Sequence, residues 1–502
     1  MLRSRLKTKD YLLSFSSALL LILSFPGFNL WPFAWFGFVP VFLALNNKSI
    51  KDAFLLFFIT GVIFWTGIIY WLVHVTLAGT ILLILFLSLY FALFGLIIRP
   101  CTKDSTLYTL VFIPAVWVLL EYARSHLLTG FPWALLGYSQ YLNLPVIQIA
   151  DITGPWGVSF LLMLSNVAIV EIIWSGKKAF WPRLKITVIL LAAVLSLVLS
   201  YGYLRLSRTP PPAADTVRIS LIQGNIPQEL KWHVASREYI SSKYLELSSA
   251  AMKDGADLLL WPEAALPAIL EEEPSFFERA KGFAETNRVN LLLGAVTLRD
   301  TLYYNSAILV YPNRQTLRYD KMHLVPFGEY IPLKNVFPFL QTIVPIGDVT
   351  AGKEYTIFRI RGREGKASFA VLICFEDLFP ELSREFAKRG ARLLVNITND
   401  AWYKKTSAAS QHLQGSVFRA VENRLPLVRA ANTGISAFIS PEGKLLATVK
   451  DRLGREIFID GFQTQSLSLY AGSLSFYTRY GDLFIFFCLL LALYAIIIPL
   501  KT

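Results

Sequence analysis

The sequence predicts a membrane protein with two parts, a bundle of eight apolar helices and an α/β domain outside the cytoplasm. Three observations support this. Only 17% of the 502 residues are charged, whereas soluble proteins average about 25%. Apolar segments near the roughly 20 residues that cross a bilayer occupy the N-terminal part and the C-terminal end. The long segment between them has the composition of a soluble domain, in which apolar runs of strand length alternate with helix-like stretches.

Eight apolar segments are candidates for membrane helices. They span residues 11–27, 31–46, 53–74, 79–99, 107–124, 157–175, 185–205 and 482–500. The second is the weakest candidate because it is short and contains Pro32 and Pro40. No small-x-small cleavage site follows the first segment, so we expect an uncleaved helix and not a signal peptide.

Lysine and arginine are concentrated in every second loop, which sets the expected orientation. These residues are Arg3, Arg5, Lys7, Lys9, Lys48, Lys51, Arg99, Lys103, Lys177, Lys178, Arg183, Lys185 and Lys501. The positive-inside rule places them in the cytoplasm. We therefore expect cytoplasmic termini, helices one to seven within 1–206, an outer domain at 207–478 and helix eight within 479–502. The same loops contain much of the net charge of +13, so we expect no nucleic-acid partner.

The outer segment is predicted to be an α/β domain. It begins with the stiff, proline-rich linker 209–214. The strand-length apolar runs are 217–223, 257–261, 290–297, 304–311, 367–374, 391–397, 426–431 and 434–440. The helix-like stretches are 236–253, 275–286, 379–388 and 411–423. Continuous apolar strands that alternate with helices indicate a sheet buried on both faces.

Three side chains with chemical potential follow predicted strands. Cys374 ends an apolar run, Glu263 follows another after Trp-Pro, and Lys321 begins a Pro- and Gly-containing loop that also includes Glu329. Active sites of α/β sheets form beyond the carboxyl ends of the strands. A thiol needs a nearby base or cation to become a thiolate. Glu263 is the candidate base, and Lys321 with the Phe375 N–H is the candidate oxyanion partner. Glu329 would hold Lys321 in place.

Each of these residues also has an ordinary structural interpretation. Cys374 could be a small buried apolar residue, Glu263 a carboxylate at a helix N-terminus, and Lys321 a solvated loop lysine. For a single residue the structural interpretation is the more common one. The combination, in this order along the chain, favours an active site.

These motifs resemble those of a known family. Trp261-Pro262-Glu263, Lys321 and Cys374-Phe375-Glu376 resemble the Glu-Lys-Cys triad of the nitrilase superfamily. Four further motifs and the loop after Lys321 resemble the bacterial apolipoprotein N-acyltransferases over nearly the whole chain. They are 321–332 (KMHLVPFGEYIP), 223–228 (QGNIPQ) with 231–232 (KW), 399–402 (NDAW), 411–412 (QH) and 429–434 (RAANTG).

The resemblance implies an αββα nitrilase-like (carbon-nitrogen hydrolase) domain on the periplasmic side of a bacterial inner membrane. It implies transfer of a fatty acyl chain from a phospholipid, the sn-1 chain of phosphatidylethanolamine, through a thioester on Cys374. The acceptor is the α-amine of the diacylglyceryl-cysteine of an apolipoprotein, and the product is triacylated lipoprotein. The implied site residues are Glu263, Lys321 and Cys374, supported by Trp232, Glu329, Phe375, Glu376 and Trp402. Glu376 would orient the catalytic loop and Trp232 would line the acyl or headgroup pocket. No metal or cofactor is expected, and the enzyme is expected to be a monomer.

One stretch departs from the family pattern. Tyr403-Lys404 and Ala408-Ala409 occupy places where the family has Phe-Gly and Gly-Pro, which puts a role of this loop as a substrate gate in doubt. Lys404 and Lys405 could meet anionic headgroups or form a solvated face. The aromatic residues of the loop 125–156 could form an interface belt or bind lipid.

Two other functions compete with acyl transfer. A membrane-tethered nitrilase-like amidohydrolase would use water in place of the lipoprotein amine, and the triad alone does not exclude it. A transporter or a binding scaffold would not need the thiol, and the membrane segments contain few of the charges that mark a transport path.

Overall fold

The chain divides into two compact units in a computed structural model that describes residues 6–99, 106–174, 180–208, 213–331, 349–363, 365–470 and 472–497. The first unit comprises Met1–Arg208, Thr406–Gln414 and Tyr480–Thr502, and the second comprises Thr209–Lys405 and Gly415–Arg479. The short segment Thr406–Gln414 therefore belongs to the first unit, although its neighbours on both sides belong to the second.

Helices build the first unit. They are Thr8–Leu23, Val39–Ala44, Ile50–Ile69, Leu77–Ile98, Thr106–His126, Leu144–Ile147, Ala150–Thr153, Pro155–Trp174, Phe180–Ser207 and Leu483–Ile497. Helical stretches long and apolar enough to cross a membrane are Ile50–His74, Leu77–Ile98, Tyr108–Thr129, Pro155–Trp174 and Leu184–Ser207. The predicted series of apolar helices is present, and the count of eight stays a prediction.

The second predicted segment, 31–46, is not one continuous helix. It forms a 3-10 turn at Trp31–Trp35 and a short helix at Val39–Ala44. Pro32 and Pro40 each occupy one of the first two positions of these pieces. A proline ring is accepted there but interrupts a helix further along, and this explains the break.

The aromatic side chains of the loop 125–156 pack inside the first unit. Trp133 and Tyr138 are buried, and the Trp133 ring lies 4.9 Å from that of Trp71. Both indole N–H groups donate to Gln411 Oε1, at 2.9 Å from Trp133 and 3.1 Å from Trp71. Trp133 and Tyr138 are thus core residues of this unit. They are not available to form a belt on its surface.

Two six-stranded sheets form the centre of the described part of the second unit. The strands are β1 (Ala213–Gln223), β2 (Leu258–Leu260), β3 (Asn290–Arg299), β4 (Leu302–Val310), β5 (Thr316–Asp320), β6 (Phe358–Arg361), β7 (Lys366–Ile373), β8 (Leu393–Thr398), β9 (Leu427–Ala431), β10 (Ala437–Ile439), β11 (Leu445–Thr448) and β12 (Gly461–Tyr470). Their orders are β12-β1-β2-β3-β4-β5 and β11-β10-β9-β8-β7-β6. β1, β2 and β3 are parallel, as are β7, β8 and β9.

The sheets pack against each other and helices cover their outer faces. β1 contacts β7 and β9, and β4 contacts β7. Helices Arg237–Met252 and Pro274–Asn287 enclose an apolar cluster on the first sheet. Helix Pro380–Lys388 packs on β7 of the second sheet. The remaining helices are Ala408–Asn423 and Phe476–Tyr480. This is the predicted αββα arrangement. Burial of the sheets on both faces explains why every residue of β2 and β8 is buried.

Candidate active site

Cys374 lies directly after β7, where the chain turns sharply. It opens the 3-10 turn Cys374–Leu378 and has a φ of 53°, a left-handed conformation that is uncommon for a residue with a side chain. Asn396 of the neighbouring parallel strand β8 donates from Nδ2 to the Cys374 and Leu372 carbonyls, both at 3.1 Å. The adjacent strand therefore fixes the main chain of the thiol, whose residue is only 8% exposed.

Glu263 follows β2 and is held by two donors. Its Oε1 accepts from Asn305 Nδ2 at 2.7 Å, and its Oε2 accepts from the main-chain N–H of Asn399 at 2.9 Å. The strand β3 passes so close that a Cβ on Gly294 would lie 2.6 Å from the Glu263 Cα. A glycine at this position is required for the approach. The carboxylate is consequently fixed in position before any substrate arrives.

Lys321 follows β5 and joins two carboxylates. Its Nζ lies 2.9 Å from Glu329 Oε1 and 3.8 Å from Glu263 Oε1, and the residue is 1% exposed. Asn305 Nδ2 also donates to Glu329 Oε1, at 2.9 Å. Burial alone would lower the pKa of Lys321, but the charges of Glu329 and Glu263 raise it above the ordinary lysine value. Lys321 is therefore a permanent cation at neutral pH.

The thiol of Cys374 is protonated in the resting site. Burial raises its pKa well above the ordinary value, and the negative charge of Glu263 acts in the same direction. The positive charge of Lys321 opposes both effects without cancelling them. Formation of a thiolate thus requires a base to remove the proton, since the surroundings alone do not ionise the thiol.

Glu376 connects the Cys374 turn to the Lys321 loop. One carboxylate oxygen accepts from the N–H of Met322 at 2.7 Å and of His323 at 3.0 Å, and the other from the N–H of Ile373 at 2.8 Å. The Tyr319 hydroxyl donates to the same carboxylate at 2.8 Å. Burial raises the pKa of Glu376 to about 7, against the effect of these hydrogen bonds. One buried side chain therefore sets the spacing of two functional loops.

The structure brings together Glu263, Lys321, Cys374, Glu329 and Glu376. Phe375 is buried beside Cys374, with its ring 5.2 Å from that of Phe379.

The two predicted tryptophans are half exposed, Trp232 at 43% and Trp402 at 49%. Trp402 lies in the turn Asp400–Tyr403, just after Asn399, and Trp232 follows Lys231 in the loop after β1. Each tryptophan thus adjoins a segment that contacts Glu263.

Lys231 belongs to the sequence motif 231–232, although the sequence does not mark it as a site residue. Its Nζ donates to the main-chain carbonyl of Glu263 at 3.0 Å, and the residue is 2% exposed. Burial lowers the pKa of Lys231 to about 8, although the charge of Glu263 acts to raise it. Sequence alone does not separate a buried loop lysine from a solvated one.

Asn305, Asn396 and Tyr319 are further residues that sequence reasoning missed. All three lie within strands, and their polar side chains contact Glu263, the Cys374 carbonyl and Glu376. An asparagine inside a predicted strand, as at Asn305 and Asn396, is the signal that could have indicated two of them.

A buried ionic network supports the Cys374 turn. Arg429 Nη1 donates to Asp377 Oδ2 at 2.9 Å and to Asn396 Oδ1 at 2.7 Å, and Nη2 donates to Asp400 Oδ2 at 3.2 Å. Buried charges are accommodated when they are paired in this way. The network joins the turn after β7 to the turn after β8.

The stretch that departs from the family pattern contains one surface ion pair and the first residue of a helix. Lys404 has a φ of 53° and pairs with Glu229, and Ala408 begins the helix Ala408–Asn423. Lys404 is therefore exposed and engaged in a surface ion pair, and its contact with anionic headgroups stays a prediction.

Comparison with known proteins identifies both parts of the chain. The family model described as the apolipoprotein N-acyltransferase N-terminal domain matches residues 17–168, and the carbon-nitrogen hydrolase model matches residues 218–470. An apolipoprotein N-acyltransferase of Geobacter metallireducens is 41% identical over 96% of this chain and 93% of its own. One of Rickettsia prowazekii is 33% identical over 75% of this chain and 77% of its own.

Among solved structures, an amidase of the nitrilase superfamily from Nesterenkonia covers 51% of this chain and 92% of its own, with 20% identity and a TM-score of 0.39. The two family models and the relatives confirm the resemblance found in the sequence motifs. The chain belongs to the apolipoprotein N-acyltransferase family.

Proposed function

We propose that this protein transfers a fatty acyl chain from a phospholipid to an apolipoprotein and carries the chain as a thioester on Cys374. One observation carries the proposal. In a chain of this family, the buried thiol of Cys374, the fixed carboxylate of Glu263 and the permanent ammonium of Lys321 lie together in one site. These three residues follow β7, β2 and β5, respectively. The apolar helices suit this reaction, because both substrates are anchored in the bilayer and the thiol has to work close to the membrane surface.

In the first half-reaction Glu263 takes the proton of the Cys374 thiol, and the thiolate attacks the ester carbonyl of the phospholipid. Lys321 and the Phe375 N–H stabilise the oxyanion that forms. The C–O bond of the ester then breaks, and the lysophospholipid alkoxide takes the proton from Glu263. The products are a thioester on Cys374 and a lysophospholipid.

In the second half-reaction the neutral α-amine of a diacylglyceryl-cysteine attacks the thioester carbonyl. Glu263 accepts the amine proton and the C–S bond breaks as the amide forms. The proton passes back to the departing Cys374 thiolate, which restores the resting site. Glu263 therefore acts as base in both halves, and two hydrogen bonds hold it ready for this role.

The supporting residues act on the triad or on the substrates. Glu329 keeps Lys321 charged and in place, through the 2.9 Å contact. Glu376 positions the Cys374 and Lys321 loops relative to each other. Trp232 and Trp402 are exposed enough to contact an acyl chain or a headgroup.

The alternation of basic loops supports eight membrane helices in a bacterial inner membrane, with cytoplasmic termini and a periplasmic catalytic domain. We assign helices one to seven to 1–206, the catalytic domain to 207–478 and helix eight to 479–502. The donor that we propose is the sn-1 chain of phosphatidylethanolamine, and the enzyme acts as a monomer.

The proposal is tested by following a labelled acyl chain. Purified enzyme is incubated with phospholipid labelled in the sn-1 chain, and a diacylated lipopeptide is then added. We expect the label to reach the lipopeptide amine with the wild type and not with Cys374→Ala. Release of the label only to water would establish the amidohydrolase-like alternative, and transfer by Cys374→Ala would refute the mechanism.

A further inference from the structure

A second buried ammonium group lies beside the base of the proposed reaction. Lys231 is located in the loop after β1, and its Nζ donates at 3.0 Å to the main-chain carbonyl of Glu263. β1 and β2 are parallel, so the loops that follow them lie at one edge of the sheet. Lys231 thus reaches Glu263 from a different element than Lys321 does.

The contact is made where the main chain of Glu263 is constrained. Ala264, the next residue, has a φ of 45°, and the backbone of β3 leaves no room for a Cβ at Gly294. A buried donor on the Glu263 carbonyl stabilises this conformation. Because Glu263 is fixed at its side chain by Asn305 and Asn399, Lys231 completes the support at its main chain.

We propose that Lys231 is a positioning residue for formation of the acyl-enzyme: its ammonium anchors the main chain of Glu263 and supplies a second positive charge to the thiolate of Cys374. This inference rests on the proposed function and adds a residue to it. Lys321 would stabilise the oxyanion, whereas Lys231 would favour the state in which Glu263 has taken the thiol proton and the negative charge lies on Cys374.

The groups that act electrostatically on Lys231 come from two other elements. They are the carboxylate of Glu263, after β2, and Cys374, after β7, once it is a thiolate. On its own loop, Glu229 is exposed and paired with Lys404. Burial lowers the pKa of Lys231 to about 8, so its charge is present below that pH and is lost as the pH rises through it. The rate of acyl-enzyme formation should therefore fall above about pH 8.

The experiment measures thioester formation with labelled phospholipid as a function of pH, without any acceptor. Omission of the acceptor removes its α-amine, which also titrates near pH 8, from the profile. Ionisation of the thiol would increase the rate at high pH, so a decrease is not explained by Cys374. The variants are Lys231→Met and Lys231→Arg, with Lys253→Met, an exposed lysine of the same unit, as the control.

We expect Lys231→Met to form the thioester up to about 100-fold more slowly, because a displaced catalytic group can cost that much, without the decrease above about pH 8. Lys231→Arg keeps a permanent charge, so its decrease should move to higher pH. If either folded variant keeps the wild-type pH profile, the inference is wrong. If Lys231→Met does not fold, Lys231→Arg decides alone. Failure of the wild type to form a thioester would refute the proposed function instead.

Discussion

Lys321 and Lys231 are two buried lysines beside the same glutamate, and their surroundings give them opposite properties. Both are almost fully buried, and both lie next to Glu263. Lys321 contacts the Glu329 carboxylate at 2.9 Å, whereas Lys231 contacts a main-chain carbonyl at 3.0 Å. The pKa of Lys321 lies above the ordinary value and that of Lys231 falls to about 8.

The difference shows that burial alone does not decide the charge of a lysine in this site. Burial lowers the pKa of both groups, and a directly bonded carboxylate reverses that effect for only one of them. Lys321 is suited to a task that needs a cation at every pH, such as oxyanion stabilisation. Lys231 is suited to a supporting task that depends on pH.

The largest effect is expected for Lys321→Met. It removes the cation that pairs with both Glu263 and Glu329, and loss of an oxyanion donor costs about 10²–10³-fold in rate. Thioester formation should therefore fall further than in Lys231→Met. Lys253→Met serves as the control in the same assay. An equal or smaller effect than that of Lys231→Met would contradict the division of roles between the two lysines.

Glu329→Gln should make the surroundings of Lys321 resemble those of Lys231. Without the carboxylate, the pKa of Lys321 is expected to fall because the effect of burial is then opposed chiefly by the charge of Glu263. We expect thioester formation up to about 100-fold slower, because Lys321 loses the group that holds it in place, with a new decrease at alkaline pH. The matched control is Glu285→Gln, which removes a surface carboxylate paired with Arg314. An unchanged pH profile would show that Glu329 does not set the charge of Lys321.

Asn305→Ala tests the bridge between the two carboxylates. Its amide donates to Glu263 at 2.7 Å and to Glu329 at 2.9 Å. Loss of this donor leaves the buried Glu263 and the partly buried Glu329 each short of a partner, which should lower the free energy of unfolding by about 1–3 kcal/mol. Denaturant titration of the purified protein measures this, with the exposed Asn313→Ala as control. Stability equal to that of the control would mean that Lys321 alone suffices to hold both carboxylates.

The smallest effect is expected for Trp232→Ala, next to Lys231 in sequence. Its indole is 43% exposed, so a role in substrate contact predicts a rise of a few-fold in KM for phospholipid and little change in kcat. Tyr239→Ala, an exposed aromatic on the neighbouring helix, should leave both unchanged. A fall in kcat with constant KM would instead place Trp232 among the residues that support the triad.

The sequence predicted the interior strands and missed the edges. The eight predicted apolar runs overlap β1–β4 and β7–β10, whereas β5, β6, β11 and β12 were not predicted. These four are the outermost strands of the two sheets. Edge strands are only partly buried, as the alternating pattern of β6 shows, so they lack the continuous apolar run on which the prediction depended.

Site residues were predictable from the sequence where a reactive side chain closely follows an apolar strand. Residues whose role depends on burial, or on a partner far away along the chain, were not predictable. Glu263, Lys321 and Cys374 each follow an apolar run and match a family motif. Lys231 could not be distinguished from a solvated lysine, because its burial depends on the loop after β1 folding over Glu263. Proline explains why segment 31–46 is broken, but its positions alone did not give the ends of the two pieces.

The central claim is that Cys374 carries the acyl chain, and the most direct test is to locate that chain on the protein. Enzyme incubated with labelled phospholipid and no acceptor is digested, and the labelled peptide is identified by mass spectrometry. We predict a hydroxylamine-sensitive acyl group on Cys374, absent from Cys374→Ala and retained in Cys488→Ala, which removes the buried cysteine of the helix Leu483–Ile497. An acyl group on any other residue, or its persistence in Cys374→Ala, would contradict the account.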